Sequence, residues 1–251
     1  MTVYNGYTAA GSFLIGTSDI EEEVTMFEPL EIIHNPSQGN LVLLAQIGAT
    51  GNRAKLAAFM IDHKSYESVF LGTMTVDKFE STMRTKTNIV LVRESGSEAI
   101  NLFKLELIQA LEGRVLQTSI NNDFVFTQVG HRIVAYEVSS IAAQVASFPI
   151  GASCIAEKAR ENEAVNINKP TDAFLSLQCP TYSQIVNGAG EQLFRSELGE
   201  QARVAKLFAK TGSKQFIRML QDLQLQYVSD GAIIWKREEA LTQIRQVEVF
   251  D

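Results

Sequence analysis

Three histidines (His34, His63 and His131) and two cysteines (Cys154 and Cys179) are the side chains best suited to ligate a metal or act as nucleophiles. A structural zinc site needs four such ligands, usually in closely spaced pairs. Each histidine here stands alone, in or beside an expected turn, so solvated loop imidazoles are the reading. The cysteines are far apart and give neither a metal-ligand spacing nor a disulfide framework. Two buried free thiols are favoured over a pairing, which would need strands to bring them together. Gly48-Ala49-Thr50-Gly51-Asn52 lacks the Lys-Ser/Thr and following helix of a phosphate-binding loop. No Gly-x-Ser-x-Gly nucleophile elbow occurs. Glu238-Glu239 and Glu161/Glu163 are local charge clusters, and no glycosidase carboxylate pair can be assigned from them. No catalytic, cofactor-binding or metal-binding residue is therefore assigned, and a non-enzymatic protein is expected, although enzymes with radially stacked sheets draw their sites from scattered loops.

The elements that would hold any site follow from composition and pattern. The chain has 251 residues, 45% apolar and 20% charged, which suits a folded protein with a sizeable core. Acidic residues outnumber basic ones, 29 to 22, for a net charge of −7, and no basic stripe stands out. Phosphate recognition needs clustered Lys and Arg, so no nucleic-acid partner is expected, and an anionic membrane surface is disfavoured likewise. The N-terminus has no cationic, apolar signal-peptide pattern. No run of about 18 apolar residues predicts a transmembrane segment. The only Asn-x-Ser/Thr triplet, Asn35-Pro36-Ser37, is blocked by its proline.

Residues 1–40 are weakly patterned and are read as an irregular N-terminal part of one region spanning 1–251. Pro29 and Asn35-Pro36 break any helix there. From Leu41 onward, short runs rich in Val, Ile, Leu and Phe alternate with turn residues. Leu41–Ile47, Lys55–Ile61 and Tyr66–Met74 form a meander. Asn88–Arg93 and Ala99–Leu107 follow, with Gly113–Ile120 as an outer strand. Phe124–Val129, Arg132–Val138 and Gln144–Ile150 make a third set. Asp172–Gln178, Tyr182–Val186 and Gln192–Leu198 make a fourth, and Lys214–Leu220, Leu223–Val228 and Ala232–Arg237 a fifth. The leading strands recur about every forty-odd residues, the period of a four-stranded propeller blade. The fourth strand of each blade fits the stretch before each set. Ala202–Ala209 is such a stretch, although Val204, Leu207 and Phe208 also suit a short helix. The expected class is all-β: a β-propeller of about five quinoprotein-like or WD-like blades over 41–251, with closure of the ring undecided.

One repeat is legible residue by residue. Aligning Gly190 with Gly231 places Phe194 on Trp235, Arg195 on Lys236 and Glu197 on Glu238. A lone sheet cannot bury both faces, so stacked sheets need an apolar wedge between them. Phe194 and Trp235 are expected to be those wedges.

The turn-strand-aromatic unit resembles the quinoprotein-like propeller repeat. The stretch Trp235-Lys-Arg237-Glu238-Glu239-Ala240-Leu241, continuing to Asp251, resembles the end of the lumenal propeller region of the ER membrane protein complex subunit 1 family. That resemblance implies a non-enzymatic scaffold on the lumenal side of the endoplasmic reticulum membrane. It would support insertion of tail-anchored and multi-pass proteins through contacts with the other subunits of the complex and with membrane-protein clients. It implies no cofactor. It makes Arg237, Glu238 and Glu239 candidate contacts at the junction with a following domain. Members of that family also carry a signal peptide, a long C-terminal region and a membrane anchor, none of which is in this sequence.

Two other readings remain. A quinoprotein (PQQ-dependent) dehydrogenase fragment would need a tryptophan stacked on the quinone and calcium-binding carboxylates, and the chain has one tryptophan. A WD-type peptide-binding propeller would carry Gly-His and Trp-Asp signatures; Gly130-His131 is a half-match and no Trp-Asp occurs.

Overall fold

The structure is a computed structural model. It describes residues 2–237 except 6–7, 13–19, 21–23, 36–38, 63, 66, 95, 140–141, 158–166, 198–203, 210–213 and 221–223. The described residues are almost wholly β. A hairpin, β1 (Thr2–Asn5) and β2 (Thr8–Ser12), comes first. Five four-stranded antiparallel sheets follow, each a meander in chain order. The first is β3 (Glu28–Asn35), β4 (Asn40–Thr50), β5 (Arg53–Asp62) and β6 (Ser68–Asp77). The second is β7 (Ser81–Arg84), β8 (Asn88–Val92), β9 (Ser97–Asn101) and β10 (Glu106–Leu111). The third is β11 (Arg114–Thr118), β12 (Phe124–Val129), β13 (Arg132–Val138) and β14 (Ala142–Pro149). The fourth is β15 (Ile155–Ala156), β16 (Phe174–Gln178), β17 (Ser183–Asn187) and β18 (Gln192–Ser196). The fifth is β19 (Val204–Ala209), β20 (Gln215–Leu220), β21 (Leu225–Ser229) and β22 (Ala232–Arg237).

The expected leading strands are all present, and each is preceded by a further strand that completes its sheet. Three assignments are corrected. Glu28–Asn35, inside the stretch read as irregular, is the first strand of the first sheet, paired with β4 through a bulge after Pro29. Ala99–Leu107 is interrupted by a turn at 102–105 and yields β9 and β10. Gly113–Ile120 is not the outer strand of the second sheet. Arg114 opposes Gln128, so β11 opens the third sheet, and Gly113 (φ +77°) sits against the Gln128 carbonyl, where a Cβ would clash. Val204–Ala209 is a strand, so pairing with β20 decides what the short apolar run left ambiguous.

Two compact units divide the chain: Met1–Leu111 with Val138–Ile141, and Glu112–Glu137 with Ala142–Asp251. In the first unit, Ile33, Val42, Leu44, Leu56 and Ala58 of the first sheet pack with Ile89, Leu91 and Ile100 of the second and with Leu102 in the turn after β9. The opposite face of the first sheet, Leu43, Ile47, Phe59 and Ile61, is filled by Ile20 and Val24, and the Phe27 ring lies 6.1 Å from that of Phe59. In the second unit, one core joins the third and fourth sheets through Leu116, Phe126, Ile133 and Phe148 against Ala156, Leu175, Leu177 and Val186. A second core, Phe174, Ile185 and Phe194 against Phe216 and Val228, joins the fourth and fifth. Alternate residues of the first and fourth sheets thus feed cores on their two faces, as the period of two requires.

Cys154 and Cys179 form a disulfide, with Cα atoms 4.2 Å apart. The favoured reading of two free thiols is therefore corrected. Ile155 opposes Gln178 in the ladder, so the residues just beyond that pair face each other across the two chains. Both cysteines are buried in the core between the third and fourth sheets. Closing a loop of this size removes roughly 3 kcal/mol of chain entropy from the unfolded state.

Candidate interaction surface

The aligned segments that carry Phe194 and Trp235 have the same backbone. In the fourth sheet, Phe194 opposes Ile185; a bulge follows, and Gln192 opposes Val186. In the fifth, Trp235 opposes Tyr227, the same bulge follows, and Ile233 opposes Val228. The cations also match, with Arg195 opposite Gln184 and Lys236 opposite Gln226. The turns differ in detail. Asp230 (φ 50°) and Gly231 (φ 79°) are both left-handed, which makes a two-residue turn of the kind that suits twisted hairpins. Gly190 (φ 86°) closes a longer loop and lies against the Phe148 ring, where a Cβ would come within 2.6 Å of Cγ. Each turn touches the fourth strand of the preceding sheet, Gly190 at Phe148 and Gly231 at the Leu193 carbonyl.

Phe194 is the wedge expected. It is 5% exposed, and its ring meets Phe216 edge-on at 6.2 Å, with the Arg218 guanidinium 4.3 Å from its centroid. Trp235 departs from the expectation: it is 46% exposed. The physical reason is position. Phe194 lies on the face of its sheet that the fifth sheet covers, whereas Trp235 lies on the face of the fifth sheet turned away from that core. Tyr227, Ile217 and Met219 share the Trp235 face by register and are half-buried. All six residues of β22 are exposed, including Ile233 and Ile234. An edge strand with this many uncovered apolar side chains is a surface suited to association.

Charge around this surface is unevenly satisfied. Arg195 donates to Glu197 through Nε at 2.6 Å and lies 3.9 Å from the Tyr182 ring centroid. The hydrogen bond to Glu197 holds its guanidinium above the ordinary arginine value. Arg218 is fully buried between the fourth and fifth sheets. Its Nε and one Nη donate to Gln226 Oε1 at 2.8 and 2.6 Å, while Nη1 has no hydrogen-bond partner among the described residues. Burial pushes its pKa down to about 10. Arg218 and Gln226 were missed by sequence reasoning. The available signal was a cation on the buried side of an otherwise apolar alternation, Phe216-Ile217-Arg218-Met219-Leu220, which normally calls for a partner.

The remaining sequence candidates are scattered. Arg237 ends β22, exposed and opposite Leu225. Glu238, Glu239, Glu161, Glu163 and His63 lie outside the described residues. His34 and His131 are exposed. Among the described residues, no three His, Cys, Asp or Glu side chains gather as metal ligands. No helix among them is long and apolar enough to cross a membrane.

No family model and no curated protein matches the chain. Solved structures do. A crystal structure of the eukaryotic initiation factor is similar with a TM-score of 0.52 at 10% identity, over 84% of this chain and 54% of that one. The chain therefore spans about half the length of that neighbour. A protein from Bacteroides uniformis, described as a 6-phosphogluconolactonase candidate, gives a TM-score of 0.49 at 12% identity over 84% of this chain and 71% of that one. At 10% identity the likeness to the first of these bears on the fold alone and says nothing about activity.

Proposed function

We propose that this chain is a non-enzymatic scaffold whose five sheets are β-propeller blades, acting through protein–protein contacts on the lumenal side of the endoplasmic reticulum membrane as part of the membrane-protein insertion complex. Five meanders in chain order, with apolar cores joining the first to the second, the third to the fourth and the fourth to the fifth, support the blade reading. The resemblance of 235–251 to subunit 1 of that complex supports the finer assignment. The Cys154–Cys179 disulfide supports an oxidising compartment, since cytosolic thiols are kept reduced.

The observation that carries the scaffold reading is the exposed strand Ala232–Arg237, which leads directly into the matched segment. A strand end that presents Ile234, Trp235 and Arg237 together offers an apolar contact with a charged rim, the make-up of a protein interface. The test is association in the compartment proposed. With a signal sequence added, the full chain is directed to the lumen, and the other complex subunits are sought in its affinity eluate. Co-purification that is lost in Arg237→Glu, with unchanged thermal unfolding, is the expected result. A folded lumenal chain that recovers none of those subunits ends the assignment.

A further inference from the structure

The strands of the fourth and fifth sheets carry five cations, Arg195, Lys206, Arg218, Lys236 and Arg237, and no Asp or Glu. That balance runs against the chain's net charge of −7. Arg218 is the one of them buried where the two sheets meet. The core they share is apolar at Ile185, Phe194, Phe216 and Val228. The next row along is polar. On the fifth sheet Arg218 opposes Gln226, and Gln226 opposes Lys236. On the facing fourth sheet Ser183 opposes Ser196, two residues along from Ile185 and Phe194. Arg218, Gln226, Ser183 and Ser196 are all buried.

Arg218 is 0% exposed, and burial lowers its pKa only to about 10, so it is a cation at pH 7. A buried charge needs one of opposite sign to offset its lost hydration. Its contacts here are neutral: the Gln226 amide oxygen on Nε and one Nη, and the Phe194 ring, whose centroid is 4.3 Å from Cζ. Nη1 has no hydrogen-bond partner among the described residues. We propose that Arg218 Nη1 binds a small monovalent anion of the halide class, taken from solution, at the polar end of the interface between the fourth and fifth sheets. Chloride accepts hydrogen bonds from any direction, so a guanidinium edge and a buried hydroxyl such as that of Ser196 suffice as donors. Its single charge matches the single buried guanidinium, and Lys236 in the same row adds to the positive field. A sulfate or phosphate would bring a second charge that one buried guanidinium does not balance.

The experiment unfolds the full chain in urea at pH 7 and fixed ionic strength, with chloride replacing gluconate, an anion too bulky for a closed site. The folded-to-unfolded ratio of the wild-type chain should rise with chloride, and above the dissociation constant by about tenfold for each tenfold increase. In gluconate Arg218→Met should match the wild-type chain, and the two should part as chloride rises. Gln226→Glu, which gives the guanidinium a built-in carboxylate, should lose the chloride response as well and is the comparator if the methionine variant fails to fold. Chloride-35 resonance reads the ion directly: the line broadening produced by the folded wild-type chain should fall several-fold in either variant. A wild-type stability that is flat in chloride overturns the proposal. So does a response that the variants share in full, since it would be a general salt effect.

Discussion

Phe194 and Trp235 occupy one register position in successive sheets, each one residue from the same bulge, yet one is 5% exposed and the other 46%. The difference lies in what covers them. It makes the two residues a matched pair for measuring what a covering sheet contributes. Burying a phenylalanine is worth about 2–3 kcal/mol, and truncating it to alanine in a packed core costs roughly 3–5 kcal/mol. Phe194→Ala should lower the unfolding free energy, read from the urea transition, by that amount. Trp235→Ala should cost about 1 kcal/mol or less, in line with surface substitutions. Equal losses at the two positions would contradict the burial difference.

The disulfide gives a second expectation. Alkylation of the unfolded, unreduced chain should label neither cysteine, and labelling after reduction should reach both. Cys154→Ser with Cys179→Ser should destabilise by roughly 3 kcal/mol, mainly by freeing the unfolded chain. Tyr182 lies 3.5 Å from Cys154 Sγ, and Gly151 packs so closely that an added Cβ would fall 2.9 Å from that sulfur. Gly151→Ala should therefore lower the melting temperature of the oxidised protein and do less to the reduced one.

These two cases show what was legible. The apolar runs and their turns placed fourteen of the five sheets' inner and outer strands near their final positions because strand period and turn chemistry are local. The alignment of Gly190 with Gly231 was local as well, and it extends to the bulges and to the cations opposite Gln184 and Gln226. What failed depended on pairing at a distance. Gly113–Ile120 reads equally well as the end of one sheet or the start of the next until Arg114 meets Gln128. Cys154 and Cys179 become neighbours only once Ile155 pairs with Gln178. The exposure of Trp235 depends on what packs against its face of the fifth sheet, which no residue of the strand itself encodes. Arg237 ends β22, whereas Glu238 and Glu239 lie outside the described residues.

Glu31 provides a pH-dependent test in the first unit. Its carboxylate accepts a hydrogen bond from Thr82 Oγ1 at 3.1 Å, and Arg84 reaches the Ile32 carbonyl beside it. Burial raises its pKa above the ordinary value, outweighing the lowering by Thr82 and Arg84. The folded state then binds a proton more readily than the unfolded state. Stability from this group is present below the unfolded carboxylate pKa and is lost as pH rises through the raised folded value. Glu31→Gln, which keeps the acceptor for Thr82, should raise the melting temperature at pH 7. The gain should vanish as pH falls to the ordinary carboxylate range. A gain that persists at low pH would mean that desolvation of the charge is not its source.

Arg218 is the sharper test of how the fourth and fifth sheets are held together. Its guanidinium is buried, bonded to Gln226 Oε1, and stacked on Phe194. Removing the partner leaves a buried cation with less compensation, so Gln226→Leu should cost about 3 kcal/mol. Removing the cation avoids that penalty. Arg218→Met, which keeps an unbranched side chain against the ring, should be near neutral, and the double variant should recover most of what Gln226→Leu loses. The pH dependence has a definite sign. Arg218 has a folded pKa of about 10, below the ordinary arginine value, so between the two the unfolded state binds more protons. Its destabilising contribution is present below pH 10 and relieved above it. Compared at each pH, the wild-type chain should therefore gain on Arg218→Met as the solution is taken past pH 10. A constant difference between the two proteins across that range would show that the arginine remains fully charged in the folded core.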